Sequence, residues 1–147
     1  MKIVDTNSRL EVIPVERCRA LLATRQVGRL AFVSDGRPDI EPVNYVLDGE
    51  AVVFATGVGS KLWALSRGPV AFEVDWTDPS TRTGWSVVLH GHAQEVTELD
   101  RPDLVERVRS LPLEIWPSGP RPNLIRISPT SISGRWVGTP SHPPAGP

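Results

Sequence analysis

Two Asp-Gly pairs, Asp35-Gly36 and Asp48-Gly49, each sit between runs rich in Val, Ile, Leu, Phe and Tyr. The first follows VGRLAFVS and precedes PDIEPVNYVL, and the second divides PDIEPVNYVL from EAVVFAT. Asp-Gly is favoured in tight hairpin turns because both central positions of such turns tolerate or require positive φ. The pattern predicts three consecutive strands in an antiparallel meander.

Further along, PVAFEVDW and WSVVLHGHAQEVT flank TDPSTRTG, a linker composed almost wholly of turn formers. This reads as a second hairpin. LIRISPTSISGRW supplies a last strand. Three helical stretches interrupt the strands. Pro14 to Arg25 places Val15, Cys18, Leu21 and Leu22 at helical spacing, with Pro14 at the first position. GSKLWALSRG has Ser60 as an N-cap, then Leu62, Trp63 and Leu65, with Gly68 as a stop. Glu98 to Leu111 carries an apolar stripe of Leu99, Leu104, Val105 and Val108. Six or so strands with few helices predict a mainly β fold, a closed or nearly closed barrel.

At 147 residues the chain has the size of one domain, assigned to 1–137. Residues 138–147 hold four prolines and two glycines and are expected to form a disordered tail. With 39% apolar and 22% charged residues and a net charge of -1, the chain has no basic field to attract nucleic acid. No apolar run approaches the roughly 18 residues of a membrane span. The N-terminus lacks the apolar core of a secretory signal, and Cys18 has no second cysteine to pair with. A cytoplasmic protein is expected.

Residues able to do chemistry are few. Thr56, Ser60 and Lys61 lie where a strand ends and a short helix starts, with Gly57 and Gly59 allowing close backbone approach. Such a cluster suits a phosphate, but on spacing alone a capped turn with a solvated lysine is the more economical reading. His90 and His92 share a strand face but have no third ligand at a recognisable spacing. Cys18 and His142 form no nucleophilic dyad, and Glu73, Asp75 and Asp78 read as a solvated edge.

Four pieces, VGRLAFVSDGRPDIEPVNY, FATGVGSKL, GWSVVLHGHAQEV and IRISPTSISGRW, occur in this order between about residues 10 and 137. In that arrangement the chain resembles the pyridoxamine 5'-phosphate oxidase-like, FMN-binding split β-barrels. The resemblance implies a homodimer with FMN at the subunit interface, each site drawing on both chains, and a small-molecule substrate. It assigns Thr56, Ser60, Lys61 and the adjoining Leu62 to the phosphate and ribityl chain. Pro42, Val43, Asn44 and Tyr45 fall on a strand whose main chain runs beside the flavin ring. Trp85 and Ser86 begin a strand that faces the pyrimidine end, and Arg135 and Trp136 reach towards the cofactor across the interface.

The resemblance implies a flavin-dependent oxidoreductase in which the cofactor carries the reactive atom, so no catalytic acid or base is assigned. Ser86 stands where pyridoxamine phosphate oxidases proper have a longer glutamine, and no Arg-rich substrate segment follows Leu124. Both departures argue against that particular reaction. A non-catalytic FMN store or sensor and a deazaflavin-dependent reductase are the alternatives on the same fold. A haem-binding relative would need His90 or His92 as the axial ligand.

Overall fold

The computed structural model describes residues 4–5, 10–56, 65, 68–97, 99–112 and 123–138. In chain order the elements are β1 (Val4–Asp5), β2 (Leu10–Ile13), α1 (Val15–Leu22), β3 (Val27–Ser34), β4 (Arg37–Asp48) and β5 (Ala51–Thr56). They continue as β6 (Pro69–Asp78), β7 (Thr83–Val96), α2 (Pro102–Arg109) and β8 (Asn123–Val137).

All strand pairings are antiparallel, and six strands close a ring in the order β8-β5-β4-β3-β6-β7, with β7 returning to β8. The expected barrel, the three-strand meander β3–β5 and the β6–β7 hairpin are present. Asp35 and Gly36 both have positive φ, at 52° and 73°, between the paired Ser34 and Arg37, the geometry for which Asp-Gly is selected. In the second turn only Gly49 has positive φ, so glycine occupies the first of the two turn positions.

Closure depends on the length of β8. One edge of this strand pairs with β7 from Leu124 to Val137, and its other edge takes β5 at Asn123–Ile127 and β2 at Gly134–Trp136. The two short N-terminal strands were not expected from their sequence. LEVI is only four residues long, and it becomes a strand because β8 offers it an unpaired edge.

Alternation places Ile13, Leu30, Phe32, Val43, Tyr45, Phe72, Val74, Trp85, Val87, Leu89, Ile125 and Ile127 in the barrel interior. On the outside, α2 lays Leu104, Val105 and Val108 over Val53, Ala55 and Leu124, with Val46 and Val96 at the margin.

Both described helices are shorter than their patterns suggested. The first begins after Pro14 and ends at Leu22 instead of Arg25, and Val15 is exposed. The Thr24 amide and hydroxyl both donate to the Leu21 carbonyl, and the Tyr45 hydroxyl takes the Leu22 carbonyl at 2.6 Å, so non-helical donors cap those groups. The second starts at Pro102 instead of Glu98, because Thr97 and Asp100 form a turn of their own. Leu99 is consequently 94% exposed and plays no part in the apolar stripe. The expected helix at Ser60 lies outside the described residues apart from the buried Leu65 and the expected stop Gly68, and so does the tail from residue 139 onward. Among the described residues, no helix is long and apolar enough to cross a membrane.

Candidate functional site

The stretch from Pro42 to Tyr45 lies where β4 changes its neighbours. Pairing with β3 runs from Arg37 to Asn44, whereas pairing with β5 runs only from Tyr45 to Asp48. The Tyr45 amide donates to the Gln26 carbonyl at 3.0 Å. Antiparallel alternation therefore turns the amides of Val43 and other odd-numbered residues of this stretch towards β3, and those of even-numbered residues away from it. Pro38 and Pro42 occupy even positions, where a missing N–H costs no bond to β3. The Ile40 amide, also turned away, is taken by the Asp39 carboxylate at 2.9 Å.

Side chains alternate in the opposite sense. Val43 and Tyr45 point into the barrel, where Tyr45 packs edge-on against Phe72 with ring centroids 5.1 Å apart. Burial raises the Tyr45 phenol above its usual range, so it stays a neutral donor. Asn44 points outward with Val46, yet it is only 4% exposed, and neither its amide oxygen nor its amide nitrogen has a hydrogen-bond partner. The Arg25 Nε and Nη2 and the Trp85 Nε1 are buried without partners too. The Arg25 guanidinium lies 5.6 Å from the Trp76 ring centroid, a cation–π stacking distance.

Four more of the sequence-assigned residues meet across β7 and β8. Ser86 is the direct cross-strand partner of Arg135, and Trp85 is that of Trp136. The two pairs face opposite ways. Trp85 and Trp136 belong to the interior cluster, whereas Asp75, Ser86 and Arg135 form one row on the outer surface. The structure thus brings Ser86 and Arg135 together and separates them from the two indoles. Thr56 ends β5 opposite Asn123, while Ser60, Lys61 and Leu62 lie outside the described residues.

On the outer surface Arg29 clamps two of the acidic residues read as a solvated edge. Its Nε and Nη2 reach the Glu73 carboxylate at 3.0 and 3.3 Å, and Nη2 also reaches Asp75. Burial pushes the Glu73 carboxyl upward while Arg29 opposes that shift. Arg29 and Glu73 are 44 residues apart and paired only through β3–β6 register, so no local signal joined them. Asp78 accepts from the Ser80 amide and hydroxyl and shapes the β6–β7 turn. His90 and His92 are exposed, and among the described residues no group of three or more His, Cys, Asp or Glu side chains is placed to hold a metal.

Beside the Arg29 clamp runs an apolar groove of about 700 Å³, lined by Ala31, Val33, Pro38, Ile40, Ala71 and His90. Val33 is 59% and Ile40 64% exposed.

Comparison with known proteins places these features among relatives. The pyridoxamine 5'-phosphate oxidase family profile matches residues 14–136. An uncharacterised protein of Mycobacterium tuberculosis is 34% identical over 132 residues, covering 84% of each chain. The FAD-binding protein of Mycobacterium smegmatis superposes with a TM-score of 0.70 at 32% identity, covering 87% of this chain and 98% of that one. An FAD-binding protein of Mesorhizobium loti shares the fold, with a TM-score of 0.69 at 22% identity over 86% of this chain and 97% of that one.

Proposed function

The chain belongs to the pyridoxamine 5'-phosphate oxidase family, and from that premise we propose that it is a flavin-dependent oxidoreductase that acts as a cytoplasmic homodimer on a small-molecule substrate. The observation that carries this reading is the buried, unpartnered amide of Asn44 on β4. Asn44 offers an unpartnered amide, and Ser86 stands beside Arg135 on the strands that the resemblance lays against the flavin. A flavin head needs a flat apolar neighbour with a few directed polar groups along one edge, and an unpaired amide beside the exposed Pro42 is suited to such an edge.

When bound, the flavin supplies the hydride and electron chemistry of the reaction. The protein's own residues position it. Ser86 and Arg135 present a hydroxyl and a guanidinium side by side, while Thr56, Ser60 and Lys61 follow the resemblance as the phosphate cradle. The resemblance favours FMN, and the similarity to the Mycobacterium smegmatis protein favours FAD. The two share the isoalloxazine head that these residues would meet. Family membership does not imply pyridoxamine phosphate oxidation, because Ser86 is too short to span the reach of a glutamine at that point.

The exposed Val33 and Ile40 in their apolar groove support dimerisation, since a contiguous apolar surface of this kind is costly to leave in water. Burial of Cys18, which raises its thiol pKa by desolvation, suits a reduced cysteine with a packing role.

The test is an absorption titration of the purified protein with FMN, FAD and the deazaflavin coenzyme in turn, followed by anaerobic NADPH. Tight flavin binding with bleaching of the flavin bands is expected. Tight binding without bleaching by NADPH or any other donor would make the protein a flavin store. Binding of the deazaflavin coenzyme alone would replace the cofactor.

A further inference from the structure

We infer that the side-chain amide of Asn44 is the side-chain group on β4 that recognises the flavin head. The inference rests on the flavin reading above and names the contact that reading leaves open.

Three observations converge on this residue. Asn44 is the only polar or charged residue in the buried class among the described residues, and both of its amide atoms lack a partner. A buried amide left unpaired costs on the order of 1 to 3 kcal/mol, so folded proteins seldom keep one unless something pairs with it. The main chain beside it has few donors to give. Pro42 has none, the Tyr45 amide is spent on Gln26, Val43 turns the same way as Tyr45, and the Ile40 amide is capped by Asp39, which leaves only the main-chain amide of Asn44 itself, turned away from β3 and beyond the pairing with β5. Finally, Asn44 shares its outward face with Pro42, which is exposed one strand repeat away, about 7 Å along the strand. A ring lying over Pro42 has its edge at the amide.

The chemistry matches in kind. The pyrimidine edge of a flavin shows a carbonyl, the N3–H and a second carbonyl in a row. A primary amide shows one acceptor and two donors, so it can accept from N3–H while donating to the neighbouring carbonyl. Low local dielectric strengthens such a two-point pair and penalises its loss. A ligand lacking the N3–H would leave the Asn44 oxygen unpaired again.

The experiment compares wild type with Asn44→Leu, measuring the affinity of each for FMN and for N3-methyl FMN by flavin fluorescence, together with the melting temperature of each apoprotein. If wild type prefers FAD, the FAD pair of ligands is used. Wild type is expected to prefer the N3–H flavin by about tenfold. The leucine variant is expected to lose that preference while its apoprotein melts no lower than wild type, because it no longer buries an unpaired amide. Should the leucine variant fail to fold, Asn44→Asp keeps the shape and removes the donors. Its carboxylate must then lower affinity for the unmodified flavin. Equal affinity of wild type for the two ligands, a preference that survives in the leucine variant, or undiminished affinity in the aspartate variant overturns the role of Asn44. A wild type that binds neither flavin, with or without the methyl group, removes the cofactor reading itself, a separate outcome.

Discussion

The Tyr45 hydroxyl donates to the Leu22 carbonyl at 2.6 Å, fastening the end of the first helix to the inner face of the barrel. Because that hydroxyl is spent inside the protein, it is not available to a cofactor. Tyr45→Phe is expected to lower stability by about 1 to 2 kcal/mol, the cost of leaving a buried carbonyl unpaired. Flavin affinity should stay within about twofold of wild type. Urea denaturation and flavin titration measure the two effects separately, and a large loss of flavin affinity in a folded variant would place Tyr45 at the ligand.

Asp48 joins three elements, accepting from Arg101 through two bonds of 3.0 Å and from Arg126 at 2.9 Å. Arg101 first, then Arg126, holds its carboxyl down to about 2. A carboxyl depressed in the folded state contributes stability above its unfolded pKa of about 4 and loses it as pH falls through the folded value. Stability should therefore fall between about pH 4 and pH 2, and Asp48→Asn should flatten that part of the profile while costing on the order of 1 kcal/mol at neutral pH. Denaturation midpoints measured across that range decide it. An unchanged slope in the asparagine variant would show that other carboxylates cause the acid loss.

Strands and turns were legible because their causes are local. Alternation and the two Asp-Gly pairs alone specified β3 to β5, and turn chemistry specified the β6–β7 hairpin. What was not legible depends on distant partners. The end of the first helix is set by Tyr45, 23 residues on, and β2 exists because β8 is long enough to receive it. The Arg29 clamp on Glu73 and Asp75 follows from sheet register across 44 and 46 residues. Around the site, alternation already put Asn44 on the face opposite Val43 and Tyr45. Its burial, and the inward turn of Trp85 and Trp136 away from Ser86 and Arg135, depend on closure of the barrel.

Closure also leaves no room at Gly91, which sits beside the irregular register at His90. A Cβ added there would lie 2.2 Å from the Ser128 carbonyl oxygen, a backbone atom that cannot rotate aside. Gly91→Ala is expected to cost about 3 kcal/mol by forcing β7 and β8 apart. A thermal melt within 2 °C of wild type would show that the strand pair yields more easily than its spacing implies.

Lys61 tests the phosphate end of the proposed site independently of β4. An ammonium contact to a phosphate is charge-assisted, so Lys61→Ala should weaken flavin binding by about 1.5 to 3 kcal/mol. Riboflavin, which has no phosphate, should bind the variant and wild type alike. Equal loss for both ligands would mean that the substitution acts on the fold.

The apolar groove carries the last prediction. Val33 and Ile40 are more than half exposed beside Ala31 and Ala71, and water is a poor neighbour for such a surface. If a second copy covers it, Ile40→Asp places a carboxylate in the middle of a dry contact, where an unpaired charge costs several kcal/mol. The dimer constant from sedimentation velocity should then weaken by at least about a hundredfold, since every 1.4 kcal/mol is tenfold. Flavin affinity should fall with it when each site draws on both chains. Ile40 is exposed on one subunit, so the folded monomer should keep its thermal stability. A wild type that sediments as a monomer at micromolar concentration, or an aspartate variant that dimerises as tightly as wild type, would move the interface to another face of the barrel.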